Sequence, residues 1–226
     1  VAMGLLKDFT GAIQSDGYIV YEHFEGMEGK KLLGCWAHAR RRFFEAKVEN
    51  EKLALEALSY IRRLYDVEAE ADALDAADNK PDHERRKALR QEKAYPEIKK
   101  FETWMEASIL KCPPKSLMEE AISYTYKILK KLSLYVTDGR YKIDDNMVEN
   151  SIKPLAIGRK NYLFCGDDDA AQRAAVVYSL LATCKAHGVN ERAWLEDVLR
   201  RIPEYEQAGK DYADLLPANW RALSAK

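Results

Sequence analysis

The chain has 226 residues and a formal net charge of −1, with 36 basic and 37 acidic side chains. This near-neutral charge excludes a global basic field, so any contact with nucleic acid has to come from local patches. Hydrophobic residues make up 47% of the chain and charged residues 32%, and this balance predicts long solvated helices around a packed interior rather than a sandwich or barrel.

The cysteines and the apolar runs bear on the compartment. The four cysteines are scattered, which is typical of free thiols in a reducing cytoplasm rather than of a disulfide framework. No apolar run approaches the ~20 residues of a membrane span, so no membrane partner is expected. The chain starts at Val1 rather than Met, and this start favours a fragment of a longer protein.

Two short strands are predicted near the start of the chain, at residues 12–15 and 31–35, with a short helix between them at residues 18–24. The first strand ends at Asp16, which Gly17 follows in a turn. An aspartate directly after a strand is placed where open α/β sheets carry their chemistry. A turn aspartate that hydrogen-bonds its own backbone is the alternative.

A helix with one aromatic face is predicted to open at Trp36. It carries three consecutive arginines, Arg40, Arg41 and Arg42. A solvated helix face is one interpretation of this run, and contact with a phosphate backbone is the other.

Residues 51–136 show apolar side chains at three-four spacing, which predicts helices almost throughout. The predicted breaks are residues 78–81, the Cys112-Pro113-Pro114 run and Asp138-Gly139. Three antiparallel helices with short connections form a bundle. Residues 43–137 are therefore predicted to be an all-helical insertion in a core made of residues 1–42 and 138–226.

The stretch from Ile143 to Phe164 predicts a short helix with Glu149 four residues before Lys153. A basic turn with Arg159 and Lys160 is expected after Gly158, and residues 162–165 are expected to be extended. Further on, residues 167–169 predict the N-cap and first turn of a helix that ends near residue 186 and is buried on several sides. A last helix is predicted from residue 190 to 200, with a tail wrapping the surface.

Two Cys-x-x-His pairs, Cys35 with His38 and Cys184 with His187, could together form a zinc site. The pairs lie far apart in the chain and lack the glycines of a zinc knuckle, so structural zinc is not expected. Packing of Cys35 and His38 beside the second strand, near the acids, is the favoured interpretation.

Several separated blocks follow one another along nearly the whole chain: Ser15-Asp16-Gly17-Tyr18, Gly34-Cys35-Trp36-Ala37-His38-Ala39-Arg40-Arg41, Asp138-Gly139-Arg140, Ile143-Asp144-Asp145-Asn146, Glu149-Asn150 through Pro154, Gly158-Arg159-Lys160-Asn161 and the tail Leu215-Leu216-Pro217-x-x-Trp220. Together, in this order, they resemble the transposases of the IS66 insertion-sequence family.

The resemblance implies a DDE-type transposase, mostly α within α/β, with a partial ribonuclease-H-like core. Asp16 and Glu149 match two of the three acids that hold two Mg²⁺ or Mn²⁺ ions for cleavage and strand transfer. One ion would activate water or a 3′-hydroxyl, and the other would stabilise the leaving oxygen. Asp144 and Asp145 are weaker candidates, with N-capping of a helix expected of one of them.

The resemblance further implies that Lys153, Arg159 and Lys160 position the phosphate backbone. Arg40 and Arg41 are added as DNA-binding candidates because their run lies just after a sheet edge. Cys35 and His38 resemble the Cys/Asp-x-x-His signature of several transposase superfamilies, and they join Asn146 as accessory residues. The expected partners are the ends of the element and the target DNA, a second copy of the chain and accessory proteins. A cytoplasmic protein that associates with the nucleoid is expected.

One departure from the pattern concerns the first catalytic aspartate, which belongs on a strand upstream of Asp16. Asp8 is not a substitute, because it lies in a segment predicted to be helical. The expectation is a C-terminal fragment, inert by itself, whose exposed sheet edge favours pairing with another copy. The alternative is a non-catalytic helical module for interaction or oligomerisation.

Overall fold

The computed structural model describes residues 2–162 and 164–223, and these residues are mostly helical, as predicted. The strands are β1 (Gly11–Ser15) and β2 (Lys30–Gly34). The helices are α1 (Ala2–Leu5), α2 (Ile19–Glu22), α3 (Trp36–Glu45), α4 (Glu51–Ala77), α5 (His83–Leu89), α6 (Tyr95–Ile109), α7 (Leu117–Lys127), α8 (Leu129–Ser133), α9 (Asn146–Tyr162), α10 (Asp168–Ala186), α11 (Glu191–Ala208) and α12 (Pro217–Leu223). The chain divides into two compact units, residues 1–147 and 148–226, at a boundary inside α9.

The two predicted strands are confirmed. They pair directly with each other in parallel, and the segment that connects them contains the short helix α2. Ser15 lies opposite Gly34, so the carboxyl ends of both strands meet at one edge of the sheet. Ile13 and Leu32 are buried with Phe24 in a small cluster of their own. Asp16 directly follows β1 and Cys35 directly follows β2, so both residues lie at this edge of the sheet.

Residues 142 and 143 are fixed beside this sheet edge by side-chain and backbone hydrogen bonds. The Gln14 side chain donates from Nε2 to the carbonyls of Gly34, at 3.1 Å, and Lys142, at 3.0 Å. The backbone N–H of Trp36 donates to the carbonyl of Ile143 at 3.2 Å. This anchoring brings Asp144 and Asp145 to the end of β2.

Helix α3 buries the aromatic face that the sequence predicts. Trp36, Ala39 and Phe43 are fully buried at three-four spacing, and they join the main hydrophobic core with α4, α6 and α7. Arg40 and Arg41 are exposed on the same helix. The predicted division at residue 42 stays a prediction, and α3 shares its core with the bundle.

The predicted bundle of three helical stretches is present. Asp78 ends α4, and the chain is helical again from His83 to Ile109 through a π-helical turn at Arg90–Ala94. The Ser116 hydroxyl accepts the backbone N–H of Glu119 and caps α7. Helix α8 follows α7 directly, and Leu132 of α8 packs closely on Gly34 of β2.

A buried ion pair holds the bundle to the segment that returns to the sheet. Arg90 is fully buried and donates to both carboxylate oxygens of Glu68 on α4, each at 2.7 Å. The same guanidinium donates to the carbonyls of Tyr135, Asp138 and Tyr141. Because one cation serves three carbonyls and a carboxylate, the 135–141 segment is fixed against α4.

The predicted short helix followed by a basic turn is wrong, because one continuous helix, α9, covers both. It runs from Asn146 to Tyr162 without a break, although Pro154 and Gly158 lie inside it, and Arg159 and Lys160 belong to its last turn. Pro154 removes only one backbone hydrogen-bond donor, so the helix continues through it. A Cβ at Gly158 would lie 2.8 Å from the Tyr178 hydroxyl of α10. Gly158 therefore serves a close approach to α10 rather than a turn.

The segment expected to be extended, residues 162–165, is not a strand among its described residues. Tyr162 ends α9, and Phe164 and Cys165 have no regular structure. Leu163 lies outside the described residues.

The second unit packs around the C-terminal end of α10. Cys184 is buried with Val189, Trp194, Val198, Tyr205 and Leu215. The Asp167 carboxylate accepts the N–H of Ala170 and caps α10, as predicted. Burial on several sides was a wrong expectation, because this cluster covers only the end of α10 and Cys184 is its one buried residue among those described.

The tail is also more regular than predicted. Helix α11 continues through Pro203 to Ala208 rather than ending at residue 200, and Gly209 ends it in the left-handed conformation. A 3-10 turn at Tyr212–Leu215 and α12 follow. No helix among the described residues is long and apolar enough to cross a membrane.

Candidate metal and nucleic-acid site

Asp16 lies at the carboxyl end of β1, exposed to solvent, as predicted from the sequence. Its Oδ1 accepts the backbone N–H of Tyr18 at 3.0 Å, which is the turn interaction foreseen as the alternative to a catalytic role. Gly17 has a φ of 89°, which fixes the sharp change of direction after the strand. The Asp16 carboxylate therefore has a defined position at the sheet edge.

Tyr124 of α7 supports the Asp16 turn from the bundle side. Its hydroxyl donates to the Asp16 carbonyl at 2.6 Å, and the Arg42 guanidinium lies 3.9 Å from the centre of its ring. Arg42, the third arginine of the run, therefore makes a cation–π contact within the structure. The sequence did not predict this contact. Arg40 and Arg41 are exposed on the same helix, and their contact with a phosphate backbone stays a prediction.

Cys35, His38 and Asp145 form a compact cluster at the end of β2. The Cys35 Sγ donates to Asp145 Oδ1 at 2.8 Å, and the buried Nδ1 of His38 lies 3.8 Å from the same oxygen. One donor atom from each residue lies within 4.8 Å of the other two. Cys35 is fully buried, whereas the side chains of His38 and Asp145 are 17% and 15% exposed.

Burial and the hydrogen bond to Asp145 raise the pKa of Cys35 to about 12. Burial disfavours the thiolate because it removes water from the charged form, and the nearby carboxylate disfavours it further. A nucleophilic cysteine needs the opposite shift and an accessible sulfur. The cluster is therefore not built as a Cys–His nucleophile.

Asp144 has a structural role next to this cluster. Its Oδ1 accepts the backbone N–H of Asn146 at 3.2 Å, and its Oδ2 accepts the Asn146 side chain at 2.9 Å and the Tyr65 hydroxyl at 2.8 Å. Asp144 thus accepts the backbone N–H of the first residue of α9, and the N-capping expected of one of these two aspartates stays a prediction. Burial and the hydrogen bond to Asp144 raise the pKa of Tyr65 well above its usual range.

Glu149 and Lys153 lie on α9, with exposed side chains. Because α9 is continuous, positions 149, 153 and 160 fall on one helical stripe, since 11 residues complete about three turns. Lys160 therefore shares the face of Glu149, which a turn after Gly158 would not have allowed. Asp16 belongs to the first unit and Glu149 to the second, and their convergence stays a prediction.

The second Cys-x-x-His pair is not part of the Cys35 cluster. Among the described residues, the group of three potential ligands is Cys35, His38 and Asp145. Cys184 is instead buried in the hydrophobic core of the second unit, and the backbone N–H of His187 donates to the carbonyls of Thr183 and Cys184 at the end of α10.

Sequence reasoning missed the residues that assemble this edge from a distance. Gln14, Tyr65, Tyr124 and Arg90 carry no local motif, and their partners lie from 20 to 128 positions away in the chain. One sequence signal was available for the cluster. Cys35-x-x-His38 and the Asp144-Asp145 pair both belong to the blocks that carry the family resemblance.

Comparison with known proteins decides the family. Residues 1–173 match the family model described as Transposase IS66 family. This chain belongs to the IS66 transposase family. Residues 179–218 match a second model, described as IS66 C-terminal element, so both units of the IS66 chain carry family sequence.

Three proteins of Sinorhizobium fredii, each named only as an uncharacterized protein, are similar to this IS66 family member. The protein y4qI is 36% identical over 225 residues, y4jD is 32% identical over 224, and y4hP is 31% identical over 237. These alignments cover 96%, 96% and 97% of the present chain but 40%, 42% and 41% of the relatives. The chain thus spans about two-fifths of the length of these relatives, and no solved structure matches it.

Proposed function

We propose that this chain is part of a DDE-type DNA transposase that cleaves phosphodiester bonds and transfers strands with the help of divalent metal ions. The observation that carries the proposal is the position of Asp16, directly after a parallel strand, in a chain whose first 173 residues match the IS66 transposase family. In this proposal β1 and β2 belong to a ribonuclease-H-like core, Asp16 is the second of the three acids and Glu149 is the third.

The donor set fits the implied metal. Asp16 and Glu149 offer exposed carboxylate oxygens, the ligand type that Mg²⁺ and Mn²⁺ prefer. When bound, two such ions would activate the attacking hydroxyl and stabilise the leaving oxygen. The Asp16 carboxylate is held in place without a metal. The backbone N–H of Tyr18 binds one carboxylate oxygen, and the Tyr124 hydroxyl binds the Asp16 carbonyl.

The basic residues have a positioning role in this proposal. Lys153 and Lys160 share the stripe of Glu149 on α9, so a DNA backbone that contacts both lysines passes beside the acid. Arg40 and Arg41 on α3 and Arg159 at the end of α9 supply further phosphate contacts. Lysine and arginine contacts to phosphate fix the register of the DNA without reading its sequence.

The 226-residue polypeptide by itself is proposed to lack turnover. The family chemistry uses three acids, and this chain supplies two of them at matching positions, Asp16 and Glu149. The remaining acid would come from the rest of a protein of the relatives' length. A second copy of the chain and accessory proteins are further proposed partners, and the nucleoid is the proposed place of action.

The test is calorimetric titration of the chain with Mg²⁺, next to Asp16→Ala and Glu149→Ala. Weak binding that either substitution abolishes is expected, because each acid would supply part of one coordination shell. Glu28→Ala, which removes an exposed carboxylate away from the site, is the matched control and should bind as the unchanged chain does. Binding that is indifferent to both site substitutions would contradict the convergence of the two acids.

A non-catalytic interaction module is the second candidate, favoured by the apolar side chains that α9 exposes. Met147, Val148, Ile152 and Ile157 are each more than half exposed. Exposed apolar surface of this kind is typical of protein–protein contact. Sedimentation of the chain at rising concentration tests this candidate, which requires self-association that Val148→Ser with Ile152→Ser abolishes.

A further inference from the structure

We propose that Cys35, His38 and Asp145 form a binding site for a divalent transition metal of the zinc class, separate from the acids proposed for catalysis. This inference is independent of the proposed function. It starts from the cluster at the end of β2, where three residues of different ligand type converge although Asp145 lies 110 positions after Cys35.

The chemical identity of the donors selects the metal. A thiolate, an imidazole and a carboxylate are the three protein ligand types that Zn²⁺ binds, whereas Mg²⁺ and Ca²⁺ take oxygen ligands. A thiol loses its proton to solvent as the sulfur–metal bond forms. A Cys-His-Asp set therefore favours zinc or a similar ion over the magnesium proposed for Asp16 and Glu149.

The geometry requires only small side-chain movements. Zinc ligands at their usual bond lengths in a tetrahedron have donor atoms roughly 3.4–3.6 Å apart. The two measured separations, 2.8 Å from Cys35 Sγ to Asp145 Oδ1 and 3.8 Å from His38 Nδ1 to the same oxygen, lie on either side of that range. The three donors therefore lie close enough together for one ion to bind all of them after small shifts.

The surroundings fix two of the ligands on rigid structure and leave access to solvent. Cys35 joins the end of β2 to the start of α3, and His38 lies in the first turn of that helix, whose aromatic face is buried in the main core. Asp145 follows the residues that Gln14 and Trp36 hold at the sheet edge. The partial exposure of His38 and Asp145 gives an ion a way in and leaves a fourth position for water.

Two other uses of the cluster are excluded, one by the burial of the sulfur and one by the free state of the cysteines. A catalytic cysteine has to reach a substrate, and Cys35 is fully buried. A disulfide is excluded among the described residues, because all four cysteines are free. A bound ion would join the start of α3 to the residues just before α9, the helix that carries Glu149.

The experiment titrates the metal-free chain with Co²⁺, which substitutes for zinc and reports its ligands by absorption. One equivalent is expected to produce the near-ultraviolet charge-transfer band of a thiolate–cobalt bond and the visible bands of a tetrahedral site, and Zn²⁺ should displace both. Cys35→Ser should abolish the charge-transfer band. His38→Gln and Asp145→Asn should weaken binding by at least ~10-fold, since even second-shell changes cost that much.

Two controls match these variants. Cys112→Ser and Cys165→Ser remove thiols outside the cluster and should keep the band. Circular dichroism checks the folding of each variant. The titration of the unchanged chain tests the proposal independently of whether any variant folds. A thiolate band absent from the unchanged chain, retained in Cys35→Ser, or lost in Cys165→Ser would overturn the proposal.

The two metal proposals fail separately. Asp16→Ala and Glu149→Ala should leave the cobalt spectrum unchanged, because neither residue belongs to the Cys35 cluster. Loss of the cobalt band in either variant would overturn the separation of the two sites. Absent Mg²⁺ binding together with an intact cobalt band would contradict the proposed function alone.

Discussion

At the scale of single residues, the block Asp138-Gly139-Arg140 shows how a family motif can be structural. The Asp138 carbonyl accepts from the buried Arg90, and the Asp138 carboxylate accepts both the backbone N–H and the guanidinium of Arg140. These hydrogen bonds hold the pKa of Asp138 well below its usual range. Gly139 between them packs against the backbone of His83, so the block closes the bundle.

Gly139→Ala tests this interpretation. A Cβ at this position would overlap the His83 carbonyl oxygen, so the backbone of one segment has to move. We expect the free energy of unfolding to fall by about 1–3 kcal/mol, the usual cost of overpacking. Urea denaturation followed by circular dichroism measures the change.

The matched control is Gly4→Ala, because no atom lies within 4 Å of the Cβ that would be added there. It should be neutral or slightly stabilising, since alanine is the better helix former. Equal stability of the two variants would show that Gly139 is not a point of close approach.

At the scale of elements, one ion pair links α4 to the segment that returns to the sheet. Glu68 accepts from Arg90 and also from Arg86, at 3.0 Å, and Arg86 reaches Asp75 further along α4. The π-helical turn at Arg90–Ala94 lets Gln91 donate to the Val136 carbonyl beside Arg90. The returning segment leads directly to Asp144 and Asp145, so the Arg90–Glu68 pair supports the Cys35 cluster indirectly.

Arg90→Met should lower the free energy of unfolding by about 3–5 kcal/mol, because it leaves the Glu68 carboxylate buried without its main partner. Urea denaturation measures this loss. The double variant Arg90→Met with Glu68→Leu should lose less than the sum of the two single variants, since no uncompensated charge of the pair remains. Additive losses would contradict a direct coupling between the two residues.

At the scale of the whole molecule, a net charge of −1 means that DNA affinity depends on where the basic residues lie. Helix α9 places Lys153 and Lys160 on one stripe and Arg159 beside them, all three exposed. The number of phosphates that such a patch neutralises sets the salt dependence of binding.

Replacing this patch by alanine, at Lys153, Arg159 and Lys160 together, should reduce the slope of log K against log salt. The reduction is about 0.9 for each phosphate that the variant no longer neutralises. Fluorescence anisotropy of a labelled duplex over a salt series measures the slope. Because phosphate contacts carry no sequence information, the reduction should be the same for unrelated duplexes.

The control replaces three exposed lysines away from α9, Lys52, Lys80 and Lys111, by alanine. Both triple variants remove three positive charges, so they differ only in the place from which the charge is removed. The control should keep the slope of the unchanged chain. A slope that falls equally in both variants would mean that net charge, not the α9 patch, governs binding.

The sequence by itself determined the strands, most helices and the position of Asp16 at a strand end. These features follow from local periodicity and turn residues, which act over a few positions in the chain. The same local rules misread α9, because Pro154 and Gly158 are turn residues elsewhere and here lie within a continuous helix.

Only the tertiary structure decided which distant residues meet at the sheet edge. Asp145 joins Cys35 and His38 because Gln14 and Trp36 hold the returning chain at β2, and these partners share no local period. The burial of Cys35 likewise depends on the packing of α3 in the bundle. Contacts over such separations come from the packing of complete elements, and residue order records where each element begins but not which element lies beside it.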